Sequence, residues 1–283
     1  LSAAAGLAWT DPPADWDDAY ANAAHIPGAE AFLRRWPESA ARFRAGARAL
    51  TDLPYADHPR ARYDLFLPEG APRGLAVFIH GGYWMRFDKS DWSHLAAGAT
   101  ARGWAMALPS YPLAPEARIG AIAGFAARFL EAAAARVAGP IRLAGHSAGG
   151  HLAARLVCAG ADQAPPLAPA ALARVERVVS ISGLHDLRPL LRTAMNATLR
   201  LDEAEAAAHS PALLRPAPGV AAAAWVGADE RPEFLRQAAL LANVWRGLGA
   251  RTAFLAAPGR HHFDVIEGLT RPDDPLCDAL LSD

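Results

Sequence analysis

The sequence is short of three things. It has two cysteines, Cys158 and Cys277, and a single lysine, Lys89. Two cysteines exclude a disulfide scaffold and a cysteine-rich zinc site. Cys158 sits in an apolar stretch and reads as a buried helix residue. Lysine poverty is balanced by arginine. With 28 basic and 29 acidic side chains the formal charge is −1, which supplies no overall field for nucleic acid or an anionic membrane. The third lack is a long uncharged apolar run. The best stretch, residues 119–137, carries Arg128, Glu131 and Arg136 and reads as a helix packed in a core, not a membrane span. No signal-peptide pattern is visible. The expectation is a cytoplasmic protein that acts on a small molecule, with no nucleic acid and no membrane as partner, while a homodimer stays open.

What is present is a large apolar fraction, 52%, spread over 283 residues. That is enough to bury a full core, and it excludes disorder as the overall state. The first 55 residues are read as a helical extension, broken at Pro27-Gly28 and Pro37, without a strand signal. Residues 61–67 then alternate as an edge strand would. Short apolar runs follow at 75–79, 104–108, 141–144, 175–181, 221–226 and 251–255, the pattern of strands buried on both faces. Helical stretches at 90–102, 117–138, 148–159 and 232–248 separate them. Strands alternating with helices imply βαβ crossovers and an α/β fold with a mostly parallel central sheet. We therefore expect one domain, residues 1–283. The segment 186–215, the largest insertion between strands, reads as a small cap or lid.

The strongest local signal is Gly145-His146-Ser147-Ala148-Gly149, a G-x-S-x-G placed between a strand and a helix. That is the context of a nucleophile elbow, whose sharp turn tolerates only glycine on either side of the serine. The free amides at the start of the following helix favour developing negative charge. The second signal is His80-Gly81-Gly82-Tyr83-Trp84, directly after an apolar run. Glycines there let backbone amides approach a ligand closely. Gly81, Gly82 and Ala148 are the candidate oxyanion donors. His80 reads as a structural histidine fixing the loop. Tyr83 and Trp84 are candidate substrate-binding residues, with core packing as the competing reading.

A nucleophilic serine needs a base, and the base an orienting acid. The candidates for the base are His261 and His262, after the last apolar run. The acid is sought after the run ending at Val226, where Asp229, Glu230 and Glu233 stand. Capping of the next helix is the simpler reading for at least one of them. Adjacent histidines could suggest a metal, but no partnering histidine or cysteine cluster accompanies them, so no metal is assigned. His151, one helical turn beyond Ser147, reads as a packed helix residue.

Taken together these motifs resemble the α/β-hydrolase fold, and within it the kynurenine formamidase (arylformamidase) group and its bacterial esterase-like relatives. The resemblance runs from about Tyr20 to the C-terminus. It rests on residues 80–84 and 145–153, on 182–189 with Asn196 and 209–213, on 226–234 with Arg236 and Gln237, and on His262-Phe263 with 265–267. It implies that the acid is Glu230, three positions after Gly227, with Asp229 as the fallback. It also implies that the base is His262, the histidine directly before Phe263. The implied activity is hydrolysis of an aryl formamide, N-formyl-L-kynurenine, through an acyl-Ser147 intermediate and without a cofactor. A broad carboxylesterase is the second reading. A catalytically silent binding protein of the same fold is the third, set against the fact that every triad position is filled.

Overall fold

The computed structural model describes residues 11–160 and 163–282. Among these residues eight strands form the central sheet: β1 (Ala49–Pro54), β2 (Arg62–Phe66), β3 (Leu75–Ile79), β4 (Ala105–Pro109), β5 (Ile141–His146), β6 (Val175–Ile181), β7 (Ala221–Gly227) and β8 (Thr252–Ala257). Their order is β1-β2-β4-β3-β5-β6-β7-β8. The strands from β4 to β8 along this order are parallel neighbours, whereas β2 is antiparallel to both β1 and β4.

The six expected runs and the alternating segment each coincide with a strand, with ends no more than two residues off. β1 is the strand that the sequence did not announce. It lies within the extension read as helical to residue 55, and it displaces β2 from the edge. Its residues are mostly exposed, so no apolar pattern marks them, and its pairing with β2 shifts register between Leu50 and Leu53. It is held from outside the ladder. Buried Lys89 places its ammonium 2.7 Å from Asp52 and 2.8 Å from the fully buried Asp64. The chain's only lysine thus ties β1 and β2 to the loop after β3. β8 departs from expectation in the opposite way. It is the other edge, and Phe254 and Leu255 on it are exposed.

Period-two alternation divides the sheet between two cores. Leu75, Val77 and Ile79 face one core, with the helices α3 (Ile119–Ala134), α4 (Ala148–Arg155) and α5 (Pro232–Gly247). Ala76 and Phe78 face the other, with Trp36 of α2 (Ala29–Gly46), which follows the short α1 (Trp16–Tyr20), and with the C-terminal α6 (Pro275–Leu281). Proline at N1 starts α5 and α6, where its missing N–H costs nothing. The expected helix at 90–102 is instead two short 3₁₀ turns and one helical turn, Ala97–Ala101. α4 ends at Arg155, and Cys158–Ala159 then pairs with Arg215–Pro216 as a two-stranded ribbon.

Candidate active site

The site lies at the carboxyl ends of β3, β5, β7 and β8, where an open α/β sheet gathers the loops that follow its strands. Ser147 follows β5 with φ 55° and ψ −120°, a strained conformation for a side-chain-bearing residue. Both flanking glycines are required by contact. A Cβ on Gly145 would stand 2.1 Å from the Gly149 carbonyl oxygen, and one on Gly149 would stand 1.9 Å from that of Ile79. The turn is thus wedged between its own helix and β3.

The β3 loop packs directly on this turn. A Cβ on Gly81 would meet the His146 carbonyl oxygen at 2.8 Å and the Ser147 Cβ at 2.9 Å. Among the described residues, the amides of Gly81, Gly82 and Ala148 have no acceptor in the protein. Gly82, Tyr83 and Trp84 all adopt positive φ, which coils the chain back so that the Met85 and Arg86 amides donate to the Gly82 carbonyl. His80 supports the loop from behind. It stacks on Tyr111 at 4.4 Å, Tyr111 donates to the His80 carbonyl at 2.8 Å, and the His80 Nδ1 lies 2.8 Å from the Gly81 carbonyl oxygen. Burial pushes its imidazole down to about 4, so it is neutral at physiological pH.

His262 is buried, with its ring 4.6 Å from that of His146 and 4.4 Å from that of Phe234. Its Nδ1 lies 2.6 Å from Glu230 Oε2. The other oxygen of Glu230 accepts from the Gly227 amide at 2.8 Å and from the Ser182 hydroxyl at 2.5 Å. Asp229 is exposed and Glu233 points elsewhere, to Tyr20, Arg236 and Gln237. His261 pairs with Asp264 at 3.2 Å. Ser182 was not singled out as a site residue from sequence. Its signal was available: a Ser-Gly at the end of β6, one strand from both the serine and the acid.

Ser147 and His262 open onto one cavity of about 460 Å³, whose wall is largely apolar. Tyr83 lines it. Trp84 does not. Its ring is fully buried and meets His151 edge to face at 5.1 Å, so its place as a substrate-binding residue is corrected to core packing. The reason lies in the coil of the loop: the residue after Tyr83 turns inward. The remaining wall comes largely from the N-terminal segment, through Tyr20, Asn22, Leu33 and Trp36. Two hydrogen bonds fasten that segment to the loop carrying Gly81 and Gly82: Tyr83 donates to the Tyr20 carbonyl at 2.6 Å, and Asn22 donates to the Tyr83 hydroxyl at 3.3 Å. The 186–215 segment contributes Met195. Its motif residues are architectural: Asn196 bridges the backbone of Leu201, and Ser210 accepts from the Leu187 amide.

Gln237 locks these pieces together. Its side-chain oxygen accepts from the amides of His185 and Asp186, and its NH₂ donates to Tyr20, Glu233 and the Asp186 carbonyl. Among the described residues no group of histidine, cysteine and carboxylate side chains is arranged to hold a metal, and no helix is long and apolar enough to cross a membrane.

This sheet order and these strand-end loops define an α/β-hydrolase fold, and the protein is a hydrolase. The BD-FAE family model matches residues 63–218, more than half of the sequence, and the chain belongs to that family. It is 27% identical over 250 residues to a kynurenine formamidase of Danio rerio, covering 85% of this chain and 83% of that one. To the kynurenine formamidase of Salmo salar it is 26% identical, covering 86% and 85%. Among solved structures it is similar to a Silicibacter sp. TM1040 protein described as a candidate thioesterase, with 48% identity, a TM-score of 0.88, and 94% and 98% of the two chains covered. A Pyrobaculum calidifontis esterase shares the fold at 18% identity and a TM-score of 0.64, covering 88% and 90%.

Proposed function

We propose that the protein is a serine hydrolase that cleaves an aryl formamide, N-formyl-L-kynurenine, to the free aryl amine and formate. Ser147 attacks the formyl carbonyl, and His262 takes its proton. The amides of Gly81, Gly82 and Ala148 receive the oxyanion. His262 then protonates the leaving nitrogen as the C–N bond breaks, leaving a formyl ester on Ser147. Water, deprotonated by His262, attacks that ester and releases formate. Glu230 holds the imidazole tautomer and offsets its positive charge. The observation that carries this reading is the cavity itself: Tyr20, Trp36, Tyr83 and Phe263 wall a space of about 460 Å³ ending on Ser147 and His262. Flat aromatic walls suit an aryl leaving group. The kynurenine formamidase relatives, aligned over most of the chain, support the formyl group.

The second reading is an esterase or thioesterase of small acyl groups, favoured by the relative at 48% identity. The same machinery would serve both. The deciding measurement is kcat/KM on N-formylkynurenine against p-nitrophenyl acetate and a short acyl thioester, with Ser147→Ala as control. We expect the formamide to be preferred and the control to lose turnover on all three without loss of Tm. No detectable rate on the formamide refutes the first reading, and wild-type activity in Ser147→Ala refutes both.

A further inference from the structure

Among the described residues, Arg86 is the one arginine or lysine on the wall of the Ser147 cavity. It is exposed there, and among the described residues its guanidinium has no ion pair and no hydrogen bond to protein. The acids close to it in sequence are engaged elsewhere. Asp88 accepts from Ser110 at 2.6 Å and pairs with Arg60 at 3.7 Å, and Asp91 accepts from the Asp88 amide. The other charged side chain on the wall, Asp17, accepts from the Ala194 amide at 2.7 Å.

The backbone that carries Arg86 is not free. It belongs to the coil that begins at Gly82, where the Arg86 amide donates to the Gly82 carbonyl at 3.1 Å. A Cβ on Gly82 would stand 2.7 Å from the Arg86 carbonyl oxygen. Four of the six residues from Gly82 to Phe87 have positive φ, three of them with side chains. Arg60 clamps the end of the coil by donating to the Phe87 carbonyl at 2.5 Å. Strain of this kind persists only where the surroundings enforce it, and it concentrates at functional positions. The coil therefore sets the backbone of Arg86, the root of an uncommitted guanidinium, at a fixed offset from the Gly81 and Gly82 amides.

We propose that Arg86 is a specificity-determining residue that binds a carboxylate on the leaving-group side of the substrate. A planar guanidinium matches a carboxylate with two parallel hydrogen bonds. The substrate class is then an aryl amide or ester bearing a carboxylate remote from the scissile carbonyl. The inference rests on Ser147 being the nucleophile but not on the acyl group being formyl.

The test compares phenyl acetate with 4-acetoxyphenylacetate, which differ by one carboxymethyl group on the leaving group, and adds N-formylkynurenine. In Arg86→Gln, kcat/KM should fall about ten- to a hundred-fold on the two carboxylate substrates, through KM, and stay within two-fold on phenyl acetate. Arg86→Lys should retain part of the preference, and raising the salt should erode it in the wild type. Equal losses on charged and neutral substrates, or no loss on either, overturn the proposal. A wild type that is inactive on the formamide yet shows Arg86-dependent preference on the ester pair supports the proposal while refuting the formamidase reading.

Discussion

The acid of the triad can be tested with one atom's change, because its two oxygens are held by different partners. Glu230 Oε1 accepts from the Gly227 amide and the Ser182 hydroxyl, while Oε2 faces His262 Nδ1. In Glu230→Gln the amide oxygen must take the Oε1 position, since the Gly227 N–H can only donate. That forces the NH₂ toward His262. Nδ1 then has to accept, the ring proton moves to Nε2, and the imidazole can no longer take a proton from Ser147. The acid-to-amide change in the serine-protease triad, which also leaves the wrong tautomer, lowers kcat about 10⁴-fold. A similar loss here corresponds to about 5.4 kcal/mol of transition-state stabilisation. The geometry is otherwise conserved, so Tm should change little. Asp229→Asn, at an exposed side chain, should leave kcat within two-fold. The assay is kcat and KM on p-nitrophenyl acetate, with thermal melts of each variant. A loss of less than ten-fold in Glu230→Gln, or an equal loss in Asp229→Asn, would show the reasoning to be wrong.

Gly81→Ala pushes a methyl against the His146 carbonyl and the Ser147 Cβ, so the loop must move away from the serine. We expect kcat to fall about 10²-fold or more, as for loss of one oxyanion donor, and a kcat within three-fold of wild type would remove Gly81 from that role. Stability should fall steeply in mild acid. Burial holds His80 down to about 4 and both His151 and His185 down to about 3, against 6.5 for a free histidine. The unfolded chain therefore takes up protons below 6.5 that the folded chain refuses. This contribution is complete above pH 6.5 and is lost as pH falls through the window down to about 4 for His80 and about 3 for the other two, at about 1.4 kcal/mol per pH unit for each histidine. Urea unfolding at pH 7.0, 5.5 and 4.5 measures it, and equal stabilities at 7.0 and 4.5 would contradict it.

The proposed catalytic constellation could be picked out in the sequence because it depends on residues that chemistry leaves few alternatives for. The contact of a Gly149 Cβ with Ile79 shows why a glycine must follow the serine, and the Gly81 contact with Ser147 shows why the second motif sits after β3. Glu230 could be chosen over Asp229 only by resemblance, since both stand between a strand and a helix. Burial separates them in the structure: one is sealed against Ser182 and Gly227, the other is exposed. Trp84 was misread because the coil that turns it inward arises from three consecutive positive φ values, two of them in bulky aromatic residues whose own preferences oppose that backbone. β1 escaped because it is an exposed edge strand, held by an ion pair with Lys89 that lies distant in sequence.

The N-terminal segment illustrates what pattern reading misses most. Its helices carry few apolar residues into the core, yet Tyr20 and Trp36 are buried to within a few per cent. Tyr20 donates to Glu233 at 2.7 Å, and its backbone carbonyl receives the Tyr83 hydroxyl. Arg236 and Gln237 share the Glu233 carboxylate, so the charge Tyr20 faces is paired and not left bare in the interior. One tyrosine thus joins the segment to α5, which follows the acid, and to the loop that follows the oxyanion glycines. The cavity wall is thereby tied to the helix that begins two residues after Glu230. Loosening the segment therefore has two consequences at once: it opens the aromatic wall to water and frees the loop on which Gly81, Gly82 and Arg86 are set. Tyr20 thus ties the cavity wall both to the loop that carries Gly81 and Gly82, 63 positions on at Tyr83, and to Glu233, 213 positions on, and no local pattern in the sequence shows either link.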